Sequence, residues 1–464
     1  MREIETSRSF RDPDGFVFRS DDRIFRRVLP HAAGDALAFL SSAFFIEQSS
    51  AGVFPATQIL ETESNGALFL EHEPIPFPNY PYEWSSAMLH AAGVLSLELA
   101  RRAMKAGFIL KDATPYNVMF EGPRPVFLDI LSFRRRDALE SMWPAYAQYV
   151  QTFLYPMLAA KHFDLRLDET LLAHRDGLEP DRLMAIVPWY RRLLPPFLGA
   201  VTIPALLERN GNDPSQGRYG GRRAKDPAEA AFVLDRLFKR ALKQLDRQAA
   251  PQRHGEASRY MDDLPSYTRA EFETKGHFVD EMFRRVQPKQ VLDIGCNTGH
   301  FSLLAARTGA SVVAIDRDPD VAAILWRAAS HERLDILPLV VDIARPPGGC
   351  GWLNQESAPF LDRARGRFDY VLMLALIHHL LVSERIPLSS IFDLAADLTT
   401  RFAVVEYIDP GDAQFRKIAR GRDSLHADLT RNVFESDAQR HFQIVEAREV
   451  SPVRRIYLLE KMGT

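Results

Sequence analysis

The hydrophobic pattern divides the chain into two halves. In the second half, short apolar runs alternate with stretches of helical period. The predicted strands there are VLDIG (291–295), SVVAID (311–316), ILPLVVD (336–342), FDYVLML (368–374), FAVVEYI (402–408), FQIVEARE (442–449) and RRIYLLE (454–460). The first five are continuous apolar runs, as parallel strands covered on both faces require. The last two are close enough to form a hairpin, so the sheet should end in an antiparallel strand. This alternation predicts an α/β fold with a doubly wound seven-stranded sheet that binds ligands at the carboxyl ends of its strands. In the first half, WSSAMLHAAGVLSLELARRAMKAG reads as a long helix, and NVMFE and PVFLDI as two short strands around GPR. Between the halves, RNGNDPSQGRYGGRRAKDPAEA (209–230) is almost without apolar residues and reads as an exposed connection. Ala231, Leu234, Leu237, Phe238, Ala241, Leu242 and Leu245 then recur at helical spacing. The predicted organisation is a domain over 1–210, a linker with an amphipathic helix over 211–258, and a domain over 259–464.

Composition narrows the functional classes. A chain of 464 residues with 46% hydrophobic residues can fill more than one core. Its 58 basic and 61 acidic residues leave a formal charge of only -3, which argues against a dedicated nucleic-acid partner. Its two cysteines, Cys296 and Cys350, have no metal-ligand spacing and point to a reducing compartment. The opening MREIETSRSFRDPDG lacks the apolar core of a secretory signal. The longest apolar run, YVLMLALIHHLLV (370–382), is too short and polar to span a bilayer. A cytoplasmic protein without a membrane span is expected.

The stretch VLDIGCNTGHFS (291–302) carries the first chemistry. Gly295 permits a tight turn after the strand, and Gly299 should bring the next helix close to ligand or sheet. Asn297 stands where many nucleotide folds place another glycine, and Asn tolerates left-handed backbone. Cys296 reads as a small packing residue. Asp293, just ahead of the turn, would repel a pyrophosphate and suits a cationic amino-acid ligand. Asp316, followed by Arg317, ends the second strand, where a carboxylate can accept from both ribose hydroxyls. Asp342, followed by Ile343, ends the third and can accept from an adenine amino group. Three acids at successive strand ends describe an adenosine with a positively charged tail and no phosphates.

The segments VLDIGCNTG, VVAIDRD, LVVDIA and FDYVLMLALIHHL together resemble the class I S-adenosylmethionine-dependent methyltransferases, over roughly residues 259–464. The resemblance implies a Rossmann-like sheet with S-adenosylmethionine as cofactor. The Asp293–Gly299 turn, with Gly295, Cys296 and Asn297, would wrap the methionine part. Asp316 and Arg317 would lie at the ribose, and Asp342 and Ile343 at the adenine. A glycine-rich turn alone is common to doubly wound folds, and Asp316 alone fits a dinucleotide site equally; the ordered set discriminates. At the fourth strand end, ALIHHLL places His378 and His379, either of which is a candidate general base or a residue that only caps or lines the site. A metal site from these histidines and Glu406 is the weaker reading. No Asn-Pro-Pro-Tyr stretch follows the fourth strand, so a small-molecule, glycan or natural-product acceptor is expected over nucleic acid. The segment 260–283 should supply lid aromatics, Tyr267 and Phe272, and the long segment after the fifth strand should cover the acceptor.

GFILKDATPYNVMFEGPRPVFLDILSF (107–133) carries a second constellation. Asp112, Asn117 and Asp129 stand in an order that resembles the catalytic loop and metal-binding strand of the protein-kinase-like fold, an α+β domain. In that resemblance Asp112 is the catalytic base, and Asn117 and Asp129 hold magnesium on the phosphates of ATP. GALFLEHEPIPF resembles the strand and hinge that meet adenine. The sequence departs from the pattern in lacking a glycine-rich phosphate loop and a Val-Ala-Ile-Lys strand; Arg26 or Arg27 is the nearest basic residue. Asp129 is followed by Ile-Leu instead of Phe-Gly, and the small lobe is reduced. Two roles stay open for this domain: a kinase using Mg-ATP, or a non-catalytic module that presents substrate or partner. On either, Asp112, Asn117 and Asp129 should converge on one cleft.

Overall fold

The computed structural model describes residues 11–20, 23–209, 223–249, 268–421 and 428–463. They fall into two compact units, residues 1–120 with 125–251, and residues 252–464 with 121–124.

The first unit opens with four antiparallel strands, β1 (Gly15–Ser20), β2 (Arg23–Val28), β3 (Thr57–Thr62) and β4 (Leu68–His72), in the order β1-β2-β4-β3. Two helices, Pro30–Leu40 and Ala43–Ser50, connect β2 to β3. The predicted long helix is Ser86–Lys105, started by the Ser85 hydroxyl, which accepts from Met88 N. Four short strands follow: β5 (Phe108–Leu110), β6 (Val118–Glu121), β7 (Arg124–Phe127) and β8 (Phe133–Arg135). They pair as β5-β8 and β6-β7. The predicted strand PVFLDI ends three residues early, at Phe127, because Asp129 instead caps a short 3-10 turn over Ile130–Ser132. The helix placed in the linker runs over Pro227–Asp246 and belongs to this first unit. Its apolar stripe packs on the body of the unit, with Phe238 edge-on to Trp143 at 5.0 Å, and Asp235 bonds Arg101 of the Ser86–Lys105 helix at 2.6 Å.

The second unit is a seven-stranded sheet: β9 (Gln290–Ile294), β10 (Ser311–Asp316), β11 (Ile336–Val340), β12 (Phe368–Met373), β13 (Thr399–Ile408), β14 (Phe442–Ser451) and β15 (Arg454–Lys461). The order is β11-β10-β9-β12-β13-β15-β14. β9 to β13 run parallel, and β15 pairs antiparallel with both β13 and β14. The chain moves outward from β9 to β11, then returns to β12 on the other side of β9. That reversal opens a crevice at the carboxyl ends of β9 and β12. The Arg269–Val286 helix is fixed at its start by a reciprocal cap, with Thr268 and Glu271 each bonding the other's backbone N–H. It buries Lys275, Phe278, Val279, Met282 and Phe283, a stripe at helical spacing that places a lysine among apolar residues.

Candidate functional site

A cavity of about 320 Å³ opens at the strand ends of the second unit, lined by Asp293, Asp316 and Asp342. Gly295, Cys296, Asn297, Arg317, Ile343 and His379 also line it. The turn after β9 is tied to β10 by bonds from Gly295 N and Cys296 N to Ile315 O at 2.8 and 3.1 Å. Asn297 takes the left-handed conformation, φ 51°, and its N–H donates to Asp316 Oδ2 at 2.9 Å. Asp318 N donates to the other Asp316 oxygen at 3.0 Å. Asp316 therefore shapes the turn as well as facing the cavity. Asp342 accepts from Ala344 N at 3.0 Å and pairs with Arg345.

Asp293 is fully enclosed. Burial, assisted by the charge of Asp316, pushes its carboxyl up to about 6 against a 2.6 Å bond from the Ser302 hydroxyl. Burial also raises Asp316. Burial holds the Cys296 thiol well above its ordinary value, so it is neutral and no nucleophile.

Gly299 has a different role from the one expected of it. It does not line the cavity. With φ 86°, a side chain there would meet Leu325 Cδ1 at 2.2 Å. Its close approach is to the Pro319–Glu332 helix, so it is a packing glycine.

The two histidines separate. His379 is half-buried and lines the cavity, and burial, with the Arg317 guanidinium adding, lowers its pKa. It is a neutral imidazole at pH 7, able to accept a proton. His378 lies outside the cavity lining and is buried, and burial pushes it down to about 3. Of this pair only His379 faces the site. Glu406 is not available to a metal, because its Oε2 accepts from Lys275 Nζ at 2.7 Å and from Ala375 N at 2.9 Å. Among the described residues no cluster of His, Cys, Asp or Glu is arranged to hold a metal ion. Phe272 lines the cavity, 4.8 Å from the His300 ring, whereas Tyr267 lies outside the described residues.

Lys275 was missed by the sequence reading. Its side chain is 3% exposed, lines the cavity and pairs with Glu406 at the end of the sheet. The available signal was its position: i-3 to Phe278 on a stripe that is otherwise apolar. Glu406 also fixes Ala375, which holds a left-handed φ of 51° on the cavity floor.

In the first unit Asn117 and Asp129 meet at one hydroxyl. Asn117 Nδ2 donates to Ser132 Oγ at 3.0 Å, and Ser132 donates to Asp129 Oδ2. The other Asp129 oxygen takes Arg26 Nη1 at 2.6 Å. Burial works against the Asp129 charge, but Arg26 and Ser132 outweigh it and hold the carboxyl below its usual range. Asn117 also reaches the Asp112 carbonyl at 3.4 Å. Asp112 Oδ1 is buried without a hydrogen-bond partner, and burial, with the Asp129 charge adding, raises its pKa. The three residues adjoin. Both Asp129 oxygens are already engaged, so this arrangement does not fit a magnesium ion without displacing Arg26.

Residues 267–451 match the model of a family described as a methyltransferase domain. Over 472 residues the chain is 28% identical to nodulation protein NoeA of Rhizobium meliloti (strain 1021), covering 98% of this chain and 95% of that one. Among solved structures, it is similar to magnesium protoporphyrin IX methyltransferase from Synechocystis PCC 6803 with bound SAH, at 17% identity and a TM-score of 0.32. That match covers 45% of this chain and 93% of the other. N-methyltransferase NodS from Bradyrhizobium japonicum WM9 matches at 14% identity and a TM-score of 0.31, over 44% and 99% of the two chains. The chain is an S-adenosylmethionine-dependent methyltransferase, and its C-terminal unit carries the class I domain.

Proposed function

We propose that this enzyme methylates a small-molecule or glycan acceptor in the cytoplasm, and that its N-terminal unit is a kinase-like module that binds acceptor or partner without phosphorylating it. The observation that carries the first part is the cavity walled by acids from three adjacent strand ends, Asp293, Asp316 and Asp342. Bound there, S-adenosylmethionine supplies an electrophilic sulfonium methyl group for in-line displacement. Asp316 would accept from the ribose hydroxyls, and Asp342 with Ile343 would flank the adenine. Asp293 would face the cationic end of the methionine part, with the Gly295–Asn297 turn around it. Lys275, a buried cation on the lining, would meet the methionine carboxylate. His379, neutral and facing the cavity, would take the proton from the acceptor. The relative is a nodulation protein, so nodulation is the setting in which to seek the acceptor.

The Arg26–Asp129 pair favours the non-catalytic reading of the N-terminal module over a second, phosphorylating activity. Asp316→Ala tests the cofactor placement by calorimetry with S-adenosylhomocysteine. Loss of bonds to a charged acceptor should cost about 1.5–3 kcal/mol. Unchanged affinity in a folded variant would remove Asp316 from the ribose site. Incubation with labelled cofactor and a panel of candidate acceptors then identifies the substrate.

A further inference from the structure

From Arg182 to Leu207 the chain carries three arginines and no acidic residue, the bounding acids being Asp181 and Glu208. This stretch forms the Pro180–Ile186 helix, a 3-10 turn over Trp189–Arg191 and the Ile203–Arg209 helix. Its inward side chains, among them Val187, Phe197 and Val201, are buried in one apolar cluster, so the segment is anchored. Its outward side chains are apolar as well. Trp189 is 79% exposed and Leu193 70%, and Tyr190, Leu194, Ile203 and Leu206 are each about half exposed. The Thr202 hydroxyl donates to Arg192 O at 2.7 Å, which ties the start of the Ile203–Arg209 helix to the Trp189–Leu194 turn. An amphipathic segment needs only one apolar face to pack, and this one has two.

We infer that the Trp189–Leu194 turn and the adjoining helix face seat this enzyme on an anionic phospholipid surface. Charge complementarity decides the occupant. Arg182, Arg191 and Arg192 fall within the segment that carries the exposed apolar side chains, Arg192 Nε donating to Val187 O at 3.0 Å, and no acid lies between Arg182 and Leu207, a net positive stretch suited to lipid phosphates. Trp and Tyr favour the depth where acyl chains meet headgroups, and the leucines between them reach below it. A protein interface would select the aromatic and arginine side chains but not a leucine pair, which is under-represented at binding hot spots. The attachment is peripheral, since no described helix is long and apolar enough to cross a membrane.

Flotation of the full-length protein with vesicles tests the inference. Vesicles of phosphatidylcholine with one third phosphatidylglycerol should carry the protein, pure phosphatidylcholine vesicles much less, and added salt should weaken binding. Leu193→Asp/Leu194→Asp should reduce the bound fraction about tenfold. The two side chains are exposed, so the variant should keep its melting temperature and its binding of S-adenosylhomocysteine. Absence of flotation, or flotation indifferent to the substitutions, overturns the inference. So does a self-association that the double variant abolishes while vesicles remain unbound, since the surface would then be a protein interface.

Discussion

Asp293 is destabilising where it stands. Its carboxyl is raised from 3.8 to about 6 by burial, so the fold favours the protonated form. That preference adds stability at low pH, and it is lost as pH rises through about 6. Asp293→Asn keeps a neutral group that can accept from Ser302. It should gain ~3 kcal/mol of stability near about pH 8, a gain that fades toward about pH 4. The same variant should bind S-adenosylhomocysteine more weakly. Denaturation at the two pH values and calorimetry check both parts, and a pH-independent change would mean that the charge is not the cause. Lys275 gives a sharper test of the cofactor's orientation. Lys275→Met should weaken S-adenosylhomocysteine by about 1.5–3 kcal/mol. It should leave 5′-methylthioadenosine unchanged, because that ligand lacks the amino-acid tail. Equal losses for both ligands would make Lys275 a structural residue. Since the variant leaves Glu406 buried without its cation, Lys275→Met/Glu406→Gln should be measured beside it.

At the scale of elements, the turn after β9 serves two neighbours. Asn297 and Asp316 lock it to β10, while Gly299 seats the His300–Arg307 helix against Leu325. Gly299→Val should therefore unfold before it unbinds. Overpacking of a closed core costs about 1–3 kcal/mol, and a β-branched residue at left-handed φ adds about 1–2. Urea denaturation should show this loss, and the folded fraction should retain near-normal affinity for the cofactor product. Normal stability with lost affinity would restore the glycine to the binding site. The loop after β12 follows the same logic, since Glu406 on β13 holds Ala375 in a conformation that its own sequence disfavours.

For the whole molecule, the question is whether the N-terminal unit handles nucleotide. With Asp129 bonded to Arg26 and Ser132, Mg-ATP should produce no rise in melting temperature, whereas S-adenosylhomocysteine should. A rise specific to Mg-ATP would show that Arg26 yields and that the kinase reading holds. The five parallel strands of the second unit were legible in the sequence because strands buried on both faces write continuous apolar runs, and the antiparallel pair was legible from the short connection between its two strands. Asp293, Asp316 and Asp342 were legible because each lies at or just past the end of such a run. The strand that carries Asp129 was read too long, because a cap is a choice of local geometry and not of hydrophobic pattern. The sequence by itself determined the alternation of elements, the antiparallel finish and the line of acids, all of which depend on neighbours in the chain. Only the tertiary structure decided which histidine faces the cavity, that Gly299 answers to Leu325, and which charges are paired. Lys275 and Glu406 are 131 residues apart, and Arg26 and Asp129 are 103 apart. Such pairs are set by packing, by the loss of water around a buried charge and by the partner that packing delivers, and a hydrophobic pattern along the chain encodes none of these.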